Sequence, residues 1–144
     1  MSFQLSDAHV DALAQLSRDV GGPLLSIDTS TSDSSVAMLG WPGQEPVSFL
    51  EFETGAVPSQ VLAQSLHDAM NRSQVSAADI KGIAVGLGPG SFTGLRVGLA
   101  TAKGLALGAG MPLYGFSSLA LWAISAQAPK VAVVLDARQK EIYS

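Results

Sequence analysis

Between Pro23 and Glu53 the apolar residues come in three short runs, Leu24 to Asp28, Ser35 to Leu39 and Val47 to Glu53, separated by the turn-rich stretches DTSTSDSS and GWPGQEP. Runs of this length bounded by Gly, Pro, Asp and Ser read as strands, and three in succession read as an antiparallel meander. The period then lengthens. From Ser59 to about Asn71, Leu62, Leu66, Ala69 and Met70 recur at helical spacing and form one buried stripe. A strand-length apolar run, Ile80 to Val85, passes through a turn at Gly86 to Gly90 into a second helix, capped by Ser91, reaching Leu107 and closed by Gly108. A strand at Leu113 to Phe116, a helix capped by Ser117 or Ser118, and strands at Val131 to Leu135 and Glu141 to Ser144 complete the pattern. Ahead of all this, residues 6 to 20 read as an amphipathic helix with Ser6 as cap, Val10, Leu13, Ser17 and Val20 on one side, and Gly21-Gly22-Pro23 as its stop. The chain therefore divides into a helical arm at 1–22, an α/β unit of order βββαβαβα at 23–128, and two further strands within 129–144.

The stretch AVGLGPGSFTGLRVGLATAKGLALGAG, residues 84 to 110, raises the first chemical question. A glycine-rich turn ahead of a helix can bring an anion onto free backbone N–H groups. A P-loop, however, requires a lysine and a hydroxyl after its last glycine, and here Ser91 follows Gly90. A dinucleotide fingerprint fails too, because the spacing from Gly88 and Gly90 falls on Thr93, with Gly94 one place late. What remains is a helix whose Gly94, Gly98 and Ala102 recur every fourth position, leaving one face nearly bare, beside an apolar stripe of Phe92, Leu95, Leu99 and Ala106. Glycine within a helix costs about 1 kcal/mol relative to alanine, so a bare seam implies close packing. Spelling alone leaves two surfaces open for it: a partner helix, or the chain's own sheet.

Composition narrows the function classes. With 144 residues and 47% hydrophobic content the chain can bury a core, and its formal net charge is −4 with only 14% charged residues. Lys81, Lys103, Lys130 and Lys140 are scattered, so no basic field exists to hold a nucleic-acid backbone unaided. The absence of cysteine excludes disulfides and thiolate chemistry and fits a cytoplasmic location. The N-terminal residues lack the basic region and apolar run of a secretory signal, and the apolar stretches are too short to span a bilayer.

The element order is that of the ribonuclease-H-like core of actin, sugar kinases and Hsp70 proteins, a mixed sheet with helices on both faces, although other α/β folds accept it. The residues say more. LLSIDTSTSDSSVAML at 24 to 39, GPGSFTGLRVGLATAKGLALG at 88 to 108 and VVLDARQKEIYS at 133 to 144 together closely resemble the TsaB family, once called YeaZ. The middle segment, G-x-G-P-G-S-F-T-G-[LV]-R-[VI]-G, is the most specific, and the resemblance covers about residues 24 to 144. It implies a non-catalytic member of the actin-like ATPase superfamily that supports formation of N6-threonylcarbamoyladenosine at position 37 of transfer RNA. The implied partners are TsaD, the metal-holding catalytic paralogue, and the ATPase TsaE, with TsaC supplying the threonylcarbamoyl-adenylate. The protein itself would need no cofactor and would meet tRNA only through the complex. The family's dimer surface is the glycine-rich helix and the helix before it, which implies an interface through Leu62, Leu66, Phe92, Gly94, Leu95, Gly98, Leu99 and Ala102, with TsaD or with a second copy.

His9 and His67 are the only histidines and lie in separate predicted helices, which does not suit a zinc or iron peptidase, so no metal site is expected. No cysteine is available as nucleophile, and Ser91 lies in no recognisable motif with a histidine, so no catalytic residue is assigned. Asp28 with Thr29 and Ser30 matches the first phosphate-turn position of actin-like ATPases, and Asp136 the second; such aspartates orient magnesium water and a nucleophile. The plainer reading is a hairpin whose hydroxyls bond nearby backbone groups. A nucleotide-dependent enzyme of the sugar-kinase type is the alternative, opposed by the missing phosphate cradle. Two departures from the family pattern stand out: Pro58-Ser59 replaces a histidine usual at that helix start, and the family continues for about another half beyond DARQKEIYS, which implies a second lobe with 129–144 as its first strands and 23–128 as the first lobe.

Overall fold

A computed structural model of the chain describes residues 15, 18–39, 48–53, 58–125, 130–138 and 141–144. Three strands open the fold, β1 (Leu24–Asp28), β2 (Asp33–Leu39) and β3 (Ser48–Glu53), followed by helix α1 (Pro58–Ser73) and strand β4 (Gly82–Gly86). Helix α2 (Phe92–Ala109), strand β5 (Leu113–Phe116), helix α3 (Ser118–Ser125) and a hairpin of β6 (Leu135–Arg138) and β7 (Glu141–Tyr143) complete it. Five strands form one mixed sheet in the order β3-β2-β1-β4-β5, in which β1 pairs antiparallel with β2 and parallel with β4. The β6–β7 hairpin is a separate two-stranded sheet. Among the described residues no helix is long and apolar enough to cross a membrane.

Register shows where the core lies. Leu25 and Ile27 of β1 stand beside Met38 and Val36 of β2 and beside Ile83 and Val85 of β4, so all six project to one face of the sheet. That face meets Leu62, Leu66 and Ala69 of α1 and Ala102 and Ala106 of α2 in a single apolar cluster. Both long helices thus share one face. Leu62 and Leu66, expected at a partner surface, are core residues of the chain itself. Their helical spacing marked a buried stripe, and β2 and β3 are what bury it.

Several boundaries moved for identifiable reasons. Strand β2 begins at Asp33 because the β2–β3 ladder extends to the Asp33–Glu53 pair. Helix α2 runs past Gly108 and ends at Gly110, which takes φ 64° and returns its N–H to the Ala106 carbonyl; the left-handed cap favours glycine, and it is the second of the two glycines that adopts it. The strand expected at Val131 to Leu135 starts only at Leu135, where Tyr143 first supplies a ladder partner. Most of the N-terminal arm lies outside the described residues, but Gln15 and residues 18–20 are helical, as the periodicity predicts.

Candidate functional site

The turn between β1 and β2 and the loop between β4 and α2 grip each other at the end of the sheet. Parallel pairing of β1 with β4 brings Asp28 over Gly86, where a methyl group would stand 2.6 Å from the Asp28 carboxyl carbon. Asp28 Oδ1 accepts the Ser30 N–H at 2.8 Å and bends the chain into the turn. The turn then reaches across. The Ser91 N–H donates to the Ser30 carbonyl oxygen at 2.6 Å, and Thr29 Oγ1 donates to the Gly94 carbonyl oxygen at 2.7 Å. Thr29 and Ser30 are buried by this contact.

The glycines make it possible. A side chain at Gly90 would overlap the Ser30 carbonyl, one at Gly94 the Thr29 carbonyl, and one at Gly98 the Thr29 hydroxyl. The bare seam of α2 is therefore occupied from within the chain, by Thr29 at its first two turns and by the sheet at Ala102 and Ala106. This corrects the expectation that Gly94, Gly98 and Ala102 touch a partner helix: the approach is of backbone to backbone, but the second backbone is the β1–β2 turn. The other interface residues divide. Leu99 is half-buried against the core, Leu95 is half-buried with its side chain over Gly88, and Phe92 is 74% exposed with the Arg96 guanidinium 5.2 Å from its ring centre.

The same geometry decides what the turn can do chemically. Thr31 Oγ1 donates to the Asp33 carbonyl oxygen and Ser34 Oγ to that of Thr31, so these hydroxyls are spent on the hairpin. At the start of α2, the Ser91 N–H is taken by Ser30 and the Gly94 N–H by Ser91 Oγ, which removes donors that an anion would need. Asp136 sits on the separate hairpin, in register with Ile142, and the sheet that carries Asp28 does not include it. His67 is exposed on α1, and His9 lies outside the described residues. Ser118, named from the sequence only as a possible helix cap, does more: fully buried, it accepts the Gly88 N–H with its Oγ and donates its own N–H to the Gly88 carbonyl oxygen, locking the loop to the start of α3. Its only signal was a serine at a helix start, which is the commonest of caps.

Fold and site together define a ribonuclease-H-like lobe in which a glycine-rich loop serves packing. Residues 58–144 match the family model described as TsaD, tRNA N6-adenosine threonylcarbamoyltransferase. The chain is 38% identical over 124 residues to the Escherichia coli tRNA threonylcarbamoyladenosine biosynthesis protein TsaB, an alignment that covers 83% of this chain and 52% of that protein. The solved structure of YeaZ from Pseudomonas aeruginosa superposes with a TM-score of 0.76 at 32% identity, covering 84% of this chain and 57% of that one. A second solved structure, of an uncharacterized protein with similarity to peptidase YeaZ from Pseudomonas aeruginosa, gives the same TM-score of 0.76 at 32% identity over 85% of this chain and 57% of that one. The chain belongs to the TsaB (YeaZ) family. It spans about half the length of the curated relatives it matches.

Proposed function

We propose that this chain is the first lobe of a non-catalytic partner protein in the threonylcarbamoylation of adenosine 37 of tRNA, acting in the cytoplasm by associating with the catalytic paralogue TsaD, with TsaE in the same complex. The relatives' names support the pathway. The grip of Thr29 and Ser30 on α2 carries the non-catalytic part: where an actin-like ATPase would cradle phosphates, this chain spends its hydroxyls and helix-start amides on its own backbone. A nucleotide-dependent enzyme is not favoured for the same reason. The β6–β7 hairpin, with Asp136, supplies the first strands of the second lobe in this reading.

The partner surface in this proposal is the outer side of α2, offered by Phe92 with Arg96 stacked on it, while Gly94, Gly98 and Ala102 support that helix from behind. Homodimerisation uses the same surface. Co-purification of the tagged chain with the TsaD of the same organism tests the reading directly. Association is expected, and its loss on Phe92→Asp with an unchanged thermal melt places the contact. A chain that never associates with TsaD, while remaining folded, would falsify the partner role.

A further inference from the structure

Two adjacent serines open α3, and they do different work. Ser117 caps the helix, its Oγ accepting the Ala120 N–H at 3.4 Å and its carbonyl oxygen the N–H groups of Ala120 and Leu121. The Ser118 hydroxyl is thereby spared for the loop before α2. Its Oγ, fully buried, accepts the Gly88 N–H at 3.2 Å, while its own N–H donates to the Gly88 carbonyl oxygen at 3.0 Å. Both backbone polar groups of Gly88 thus end on one residue, 30 positions away.

Gly88 has a second neighbour. It takes φ 84°, a conformation that favours glycine, and a methyl group there would stand 2.8 Å from Leu95 Cδ1, so Leu95 sits directly on the Gly88 backbone. Leu95 belongs to the first turn of α2, where its N–H donates to the Ser91 carbonyl oxygen at 2.9 Å. At 3.6 residues per turn it lies between the Gly94 face, which meets the β1–β2 turn, and the exposed Phe92. Thr29 and Ser30 hold α2 through Gly94 and Ser91, along one side only. A helix held along one line can still roll about it, and a stop on the adjoining flank removes that freedom. Leu95 on Gly88, with Gly88 bound to Ser118, is such a stop.

We propose that Ser118 is a positioning residue for the partner surface: acting through Gly88 and Leu95, it fixes the roll of the first turn of α2 and so the place of Phe92. This rests on the reading of Phe92 as part of that surface, but the hold of Ser118 on the turn is measured without a partner.

Ser118→Ala leaves the buried Gly88 N–H unpaired. In the full chain alone, amide exchange followed by NMR is expected to quicken about ten-fold at Gly88, Gly94 and Leu95, with the amides of α1 unchanged. A rise at Gly88 alone marks a bond without reach, and an equal rise in α1 and the sheet marks a general loss of stability; either overturns the proposal. Should Ser118→Ala fail to fold by circular dichroism, Ser118→Cys, of similar shape but a weaker acceptor, carries the comparison with a rise of about three-fold at the same amides. Association with TsaD is then read in a cycle with Phe92→Ala. Ser118→Ala is expected to weaken it about five-fold in the parent and less than two-fold where Phe92 has been removed. Equal losses in both backgrounds overturn the route through Phe92. A parent chain that does not bind TsaD overturns the partner role and not the hold on the turn, which the exchange pattern decides.

Discussion

Thr29 is held between two helical glycines, donating to one and standing where the other's side chain would be. Gly98→Ala is therefore expected to destabilise the monomer by about 1 to 3 kcal/mol through overpacking. The penalty should shrink by at least half in a Thr29→Ala background, because the overlapping hydroxyl is gone; urea denaturation of the four proteins of this cycle measures the coupling. Equal penalties in both backgrounds would remove Thr29 from the account. Gly104 provides the contrast, since a methyl group there meets nothing within 4 Å. Gly104→Ala should stabilise by about 0.5 to 1 kcal/mol, read as a higher melting temperature. The four-residue spacing of Gly94, Gly98 and Ala102 made the seam legible in the sequence. Its occupant was not, because periodicity reports that a face is bare and says nothing of a residue 65 positions away that fills it.

At the scale of elements, strands β1 and β5 lie where the apolar runs placed them, since turn residues bound both sharply. Ends set by tertiary pairing, such as the start of β6, carry no local signal. Helix α2 owes its start to Ser91, whose Oγ accepts the Gly94 N–H at 3.2 Å, so Ser91→Ala should cost about 1 kcal/mol in chemical denaturation. The turn after α1 is tied differently. Asp79 accepts the Ser76 hydroxyl at 2.6 Å and the Ser76 N–H at 3.1 Å, and these bonds hold its carboxyl below the ordinary aspartate range, with a smaller contribution from Lys81. A depressed folded pKa contributes stability that is present above the ordinary value and lost as pH falls through the folded one. Asp79→Asn should accordingly flatten the fall in stability in acid below about pH 4 while leaving the neutral-pH slope alone, as measured by melts across that range.

For the whole molecule, the spent hydroxyls of the β1–β2 turn lead to an expectation about nucleotide: no measurable ATP hydrolysis, and at most weak binding by calorimetry. Micromolar ATP affinity abolished by Asp28→Ala would reverse it. The grip between turn and loop also bears on how the chain reaches its native state. It joins segments 65 positions apart, and such a closure gains its bonds only after β1, β4 and the body of α2 are aligned. The contact should therefore form after the rate-limiting barrier to folding has been crossed. Weakening it by Thr29→Ala, which deletes the bond to Gly94, should leave the refolding rate within about two-fold of the parent and accelerate unfolding, a split that stopped-flow measurements resolve. In a chain so arranged, the glycine-rich loop governs how long the native state lasts, while the speed of reaching it is set by the apolar pairing of β1 with β2 and β4.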